Sequence, residues 1–525
     1  MPSSDDTSVW LVEITGYTDA AVSAVYRYCA DPGRTGYITR PTDTPASAYY
    51  EPLVIDAGTL RRQLFASGES GARANPRAET GYGSIVLNNQ DGALDAIFDS
   101  ATISFRERSI RILRVAPGAA YASAVLVMQG EVGQIEHQAD RIIIGCKDVL
   151  YLLASPHITT TFGGTNALPN GVDGVADIAG KAVPRIYGTV FQITPPCVNT
   201  SRLIYQVSSA AVQSGTVYDG GIALTNGADY TSQSDMETTS PAGSHVRWWK
   251  AGGMYRLGSS PARRITADVV GDLAANATVA QVLKRLALER GFSAGDVNAA
   301  DVTALDALNP AVVGLYVDSQ ANTLDLMDQV ARSIGAWYAF DRLGQLRMGR
   351  FDVPSGTAVA VIDPYNCESV ERVANGEDVP TTTLQLRYAK YYTPQSRESL
   401  AGGVSPAAAS DFAQGWRTSK YAGTLSPNPH RRTQIAERET LLTTKADADA
   451  EAARLYSITS VARRTHLCKG VALDDATIAA LDIGAVIELR WPRWGFSMLS
   501  GTLRRVIGIT YDYAARRCDL IVWGA

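Results

Sequence analysis

Residues 321–351 constrain this chain most, because a helix signal there runs straight into a hairpin signal with no loop between them. Asn322 is placed to cap the helix start, with Asp325 three residues on, and Leu324, Met327, Ala331 and Ile334 then fall on one face. Gly335 marks the stop. Beyond it, Trp337-Tyr338-Ala339-Phe340 and Leu346-Arg347-Met348 flank Asp341-Arg342-Leu343-Gly344, turn chemistry that folds one strand back on the other. A helix with a sheet beside it in sequence predicts a small α/β unit.

A chain of 525 residues holds about three or four domains of roughly 100–200 residues each, with ample material for cores. Its 48 basic and 53 acidic residues leave a formal charge of -5, so no global field draws it to nucleic acid or an anionic membrane. No charged segment followed by an apolar run opens the chain, and no apolar stretch is long enough to cross a bilayer. The expectation is a chain without a standard secretion signal and without a membrane span.

The fold class expected is mixed and β-rich with several domains: small β-barrels or sandwiches plus an α/β domain. Residues 1–116 read as an N-terminal barrel-like domain, with strand-like runs at 9–14, 22–28, 84–87 and 108–115. Asp31-Pro32-Gly33 and 88–92 are turn signals there, and Leu94, Ile97 and Phe98 make one helical turn. Residues 117–154, together with 361–400, read as a second β module. Residues 155–261 are rich in Gly, Thr, Asn and Ser and read as a β-rich insertion, with strands at 183–193, 203–207 and 245–249. Its turn signals are Asp219-Gly220-Gly221 and Thr225-Asn226-Gly227. Residues 262–360 form the α/β domain, where Thr278 and Gln281 suggest a capping box for a helix that Gly291 ends. Residues 401–525 comprise a loop to about 429, a helix over 444–464 and a C-terminal β unit with strands at 485–489, 503–513 and 518–523.

No motif for chemistry stands out. The five histidines, His137, His157, His245, His430 and His466, lack the spacing that sets two imidazoles on one metal. Glu136 and His137 with Asp140 could make an acid–base pair, although such neighbours are usually solvated. The six cysteines, Cys29, Cys146, Cys197, Cys367, Cys468 and Cys518, are spread singly and read as buried thiols. The glycine loops at 68–71 and 81–84 are not phosphate cradles, and the GxSxG elbow is absent. Asp173, Asp177, Asp219 and Asp229 are candidates for a carboxylate pair, but loop aspartates mostly stabilise turns. No catalytic, cofactor-binding or metal residue is assigned. The aromatic pairs say more: Tyr49-Tyr50, Trp248-Trp249 and Tyr391-Tyr392 would each send one ring inward and one outward on a strand, and Trp491 lies near Trp494. The outward ring suits either a contact with another chain or a loop cover.

Four stretches, GSIVLNNQDGALD (83–95), the helix and GAWYAFDRLGQLRM (324–348), LQLRYAKYYTPQ (384–395) and LDIGAVIELRW with GTLRRVIG (481–508), together resemble the central tail hub or baseplate hub proteins of tailed bacteriophages. The resemblance touches every part except the insertion. It implies a homotrimer in which two barrel-like domains per chain make a ring of six, matching a sixfold tail tube while a threefold tip forms below. It further implies contacts with a tail tube or distal tail protein and with tip or fibre proteins. Assembly would take place in the host cytoplasm into the virion tail tip, and DNA would be met only in passage through the lumen. The leading expectation is therefore a non-enzymatic structural hub that needs no cofactor. Two rivals stand beside it: a tip-associated hydrolase of the cell envelope, and a carbohydrate-binding receptor protein that uses the insertion.

Overall fold

The computed structural model describes residues 8–18, 23–31, 33, 35–64, 76–373, 381–423, 434–461, 463–472, 474, 477, 480–512 and 517–524. Val22, Pro32, the 68–71 loop and His430 lie outside the described residues. The chain is mixed and β-rich, with several separate sheets.

The first eight-stranded sheet runs in the order Ser23–Ala30, Val9–Thr18, Ser109–Val115, Val125–His137, Arg141–Lys147, Ser84–Asn88, Val54–Asp56, with Ile103–Ser104 beside Val9–Thr18. Alternating aliphatic side chains set its register: Val12 opposes Ile112 and Ile14 opposes Ile110, all four buried. Glu51 closes it towards a barrel, since the Cys29 N–H donates to the Glu51 carbonyl at 2.7 Å while the Asn88 N–H donates to that of Leu53 at 2.7 Å. Strand pairing continues across residue 116, where Leu113 meets Leu126. Residues 125–147 therefore complete this sheet, as strands adjacent in sequence usually pair.

The second eight-stranded sheet has the order Val361–Ile362, Val486–Leu489, Thr502–Asp512, Arg517–Gly524, Arg464–Val471, Ser369–Arg372. The hairpin Thr59–Leu64 and Ala78–Tyr82 adds to Thr502–Asp512, with Arg61 opposite Thr510. One continuous apolar core lies under both sheets, holding Ile14 and Ile112 of the first and Ile487, Val506 and Leu520 of the second. Two segments of the first hundred residues thus sit in two different sheets.

A five-stranded sheet, in the order Ile222–Ala223, Ser214–Asp219, Ile265–Val270, Arg185–Ile193, Gly314–Val317, joins the insertion to the α/β part. Helices Val279–Glu289, Ala299–Leu308 and Thr323–Arg332 share one core with Tyr187, Leu315 and the hairpin Ala336–Phe340/Leu346–Arg350. As the sequence predicts, the Asn322 side chain caps the third of these helices and Gly335 follows it at φ +61°. Thr278 caps the first, but the Gln281 amide donates to Asp306 at 2.7 Å and does not close a capping box. The rest of the insertion is a second five-stranded sheet in which Thr225–Asn226 is a short strand parallel to His245–Trp249, not a turn. Gly220 and Gly221, at φ +56° and +84°, do form the expected hairpin turn.

Residues 401–423, read as loop, contain a helix, Pro406–Ala413, capped by Ser405, and a strand, Arg417–Ala422. Only Ala409 of that helix is buried, so no apolar periodicity announces it. The strand pairs with Thr381–Tyr388, which also takes Gln434–Glu439 in parallel, and helix Lys445–Thr459 covers this three-stranded sheet through Leu384, Leu386, Ala452 and Leu455. That helix stops at Thr459, short of 464, and the Arg463 guanidinium donates to the carbonyls of Ile458 and Ser457 past its end.

Candidate assembly surfaces

The polar chemistry of this chain is spent on pinning distant segments together. Buried Glu13 accepts from Tyr50 Oη at 2.6 Å, Tyr121 Oη at 2.6 Å and Arg111 Nη1 at 3.1 Å. Asp328, buried on helix Thr323–Arg332, accepts from Tyr338 Oη at 2.7 Å and Arg77 Nη2 at 2.8 Å, which binds the N-terminal hairpin to the α/β core. Arg454 spans four acceptors, Glu451, Asp352 and the carbonyls of Phe351 and Ile334, at 2.6–3.0 Å. Such buried, fully paired networks fix one arrangement of neighbouring units.

The sequence-derived acid and base candidates among the described residues have the following surroundings. His157 is buried, its Nε2 within 2.7 Å of Tyr187 Oη and 3.2 Å of Glu289. Burial pushes the Glu289 carboxyl up, but hydrogen bonds from His157, Arg185 and Tyr187 outweigh it and hold the group at about 2. The cluster is a hydrogen-bonded network joining 157, 185–187 and 289. His137 is exposed at a hairpin end, and Asp140 pairs with Arg141 at 2.8 Å instead of with it. His245 Nδ1 lies 2.8 Å from its neighbouring Gly243 carbonyl. Asp173 accepts from the Gly163 N–H and Thr165, Asp219 from the N–H groups of Ala262 and Arg263, and Asp229 pairs with Lys250 at 2.7 Å; Asp177 is exposed. Asp173 is engaged by its own loop, as turn aspartates are, whereas Asp219 and Asp229 hold segments further along the chain. Among the described residues no group of three or more His, Cys, Asp or Glu side chains could hold a metal, and no helix is long and apolar enough to cross a membrane.

The six thiols are free. Burial raises Cys29 to about 11 and both Cys146 and Cys518 to about 12, as expected for thiols kept neutral. Spacing hid one feature: Cys367, Cys468 and Cys518 share one core, with the Cys367 thiol 3.3 and 3.4 Å from the carbonyls of Ser369 and Lys469.

The aromatic pairs divide as follows. Tyr49 is exposed and Tyr50 fully buried, and Trp248 is buried beside a half-buried Trp249, the alternation a strand imposes. Tyr391 and Tyr392 lie beyond the end of Thr381–Tyr388, and both turn onto the protein: Tyr391 against Phe191 and Phe412, and Tyr392 against Tyr316, whose N–H it accepts at 2.9 Å. Trp491 packs on the shared core and Trp494 is exposed.

Among the described residues, exposed apolar side chains suited to contact with other chains include those at the following places. The two-stranded unit 37–38/49–50 presents Ile38 (64% exposed) directly opposite Tyr49. The parallel strands Val361–Ile362 and Val486–Leu489 both lead to the same end of the second sheet, where Tyr365 (93%) and Leu499 (91%) project. The three-stranded sheet has two outer strands, and on one of them Ile435 is 68% exposed. Lys420 and Arg417 on the other are charges of the kind that guard an open edge.

No family model matches the chain, and no curated relative matches it. Among solved structures, the chain is similar to the 43 kDa tail protein of prophage MuSo2 from Shewanella oneidensis, at 10% identity over 97% of this chain and 96% of that one, with a TM-score of 0.39. It is similar to a tail protein from Neisseria meningitidis MC58, at 9% identity over 98% and 95%, with a TM-score of 0.40. A chain of the native gene transfer agent particle virion is similar at 15% identity over 66% and 85%, with a TM-score of 0.38.

Proposed function

We propose that this chain is a structural hub of a phage tail tip or baseplate, a homotrimer that joins a sixfold tail tube to a threefold tip and anchors fibre or receptor-binding proteins. The observation that carries the reading is the presence of two eight-stranded sheets in one chain on one continuous core. Three copies would present six such sheets, the number a sixfold ring needs, and ring closure would give the open edges and exposed apolar side chains a partner. The four stretches behind the resemblance lie at the joints of this body: 83–95 in the first sheet, 324–348 against Arg77, 384–395 in the three-stranded sheet, and 481–508 in the second sheet. His157, Asp173, Asp219 and Asp229 are each engaged by hydrogen bonds or ion pairs with other protein groups, which fits a role in shape without bond-making.

The working site of the protein is the virion tail tip, reached after assembly in the host cytoplasm, with DNA met only in the lumen. Co-sedimentation with a purified tail tube or distal tail protein tests this: the reading expects three chains per ring of six. Purified protein that releases products from peptidoglycan or capsule would favour the hydrolase instead.

A further inference from the structure

One face of the second sheet carries Arg504, Arg464, His466 and Arg372 in adjacent rows, because Gly524 stands opposite Arg464 and Val522 opposite His466, which in turn opposes Arg372. Two of the four are interior: Arg504 is 4% exposed and His466 is 1% exposed. Gly524 makes room for the arginine, since a Cβ there would lie 2.6 Å from Arg504 Nη1. Neither Nε nor Nη1 of Arg504, nor either ring nitrogen of His466, has a hydrogen-bond partner. The Arg504 guanidinium instead lies 4.8 Å above the Phe496 ring, and His466 packs against Phe496 and Trp494 at 5.1 and 5.9 Å between ring centroids. A buried guanidinium without a carboxylate is expensive, and a neutral aromatic face replaces only a small part of its lost hydration.

We propose that Arg504 and His466 form an oxyanion site at the end of the second sheet, one that takes a single carboxylate or phosphate group under the Trp494–Phe496 cover. The donors left over match that ligand: one N–H of the guanidinium, whose free Nε and Nη1 lie on different edges, and an imidazole that becomes a second donor when protonated. An acidic side chain of an abutting chain and a free phosphate present the same oxygens. Trp494 holds a left-handed backbone at φ +57° with Gly495 next to it, so the cover is an irregular loop and not part of the strand ladder. Binding is coupled to protons. Burial, with Arg504, Arg372 and Arg464 facing the ring, holds His466 at about 4, and burial, with Arg464 adding to it against Cys468, lowers Arg504 to about 10. An anion between them reverses the charge terms, so the imidazole takes up a proton as the ligand enters.

The test uses the full chain with sodium sulfate and sodium acetate as probes, each compared with sodium chloride at equal ionic strength. The melting midpoint of the wild type rises beyond the chloride value in at least one of the two: sulfate alone assigns the site to tetrahedral anions, acetate alone to carboxylates. Arg504→Met loses that increment while melting no lower than the wild type, because it removes a buried unpaired charge. The sulfate increment grows as pH falls from 7.5 to 5, over which sulfate keeps its charge, and calorimetry in two buffers of different ionisation heat shows proton uptake on binding. No increment in either anion, an unchanged increment in Arg504→Met, or binding without proton uptake overturns the proposal. Should Arg504→Met fail to fold, the proton-uptake measurement on the wild type decides alone.

Discussion

Arg62 and Asp482, 420 residues apart in the chain, meet as an ion pair that ties the N-terminal hairpin to the segment leading into strand Val486–Leu489 of the same sheet. The Arg62 side chain is buried and Asp482 is part-buried. Removing the acid leaves the buried guanidinium without its paired carboxylate, whereas removing both takes the pair out together. Asp482→Ala is expected to cost about 3 kcal/mol, and Arg62→Met combined with it to recover most of that loss. Urea unfolding of the two single variants and the double variant measures the coupling. Simple additivity would show that the pair does not hold these two segments together.

Gly188 and Gly314 are Cα partners between strands Arg185–Ile193 and Gly314–Val317. A Cβ on Gly314 would overlap the Thr189 carbonyl oxygen, and one on Gly188, which sits at φ +66°, would overlap that of Val313. Gly314→Ala therefore disrupts the joint between the insertion and the α/β part by more than about 3 kcal/mol, read as loss of soluble protein or of the cooperative melt. Gly118→Ala serves as the control, because nothing lies within 4 Å of a Cβ there, and its cost is confined to its own φ of +68°.

The acid limb of stability has a named contributor. Glu289 is held at about 2 in the folded chain against an ordinary 4.5, so its stabilisation is fully present above pH 4.5 and is lost as pH falls towards 2. After allowance for its partial exposure, the contribution is about 2 kcal/mol. Glu289→Gln is expected to flatten the fall in urea midpoint between pH 4.5 and 2. An unchanged slope would remove Glu289 from the account.

The outward residues Ile38 and Tyr49 touch solvent on an otherwise well-packed unit. Replacing both with serine should leave the melting midpoint within the scatter of surface substitutions, about 0.5 kcal/mol, yet weaken self-association in sedimentation velocity. Loss of stability without loss of association would show that the two belong to the fold and not to a contact.

What the sequence made legible was local. The cap at Asn322, the stop at Gly335 and the turn at 341–344 lie within one stretch of thirty-odd residues, and each appears where its chemistry predicts. The partner of Thr59–Leu64 did not show, because register with residues 508–512 leaves no trace in the hairpin's own pattern. Helix Pro406–Ala413 escaped because it buries a single alanine, although Ser405-Pro406 is a sound helix start. The signal for the interior arginine was available: Arg504 and Arg505 are consecutive on a strand, and alternation sends one of two neighbours inward. Arg505 is accommodated by the carbonyls of Asp352 and Gly484 at 2.9 and 2.7 Å, whereas Arg504 is left with Nε and Nη1 unpartnered.

A symmetry-resolved reconstruction of the assembled particle tests the hub reading most directly. The account predicts three copies at the end of the tail tube, with the two eight-stranded sheets of each alternating around the axis to give six. One copy, six copies, or a position away from the tube end would contradict it.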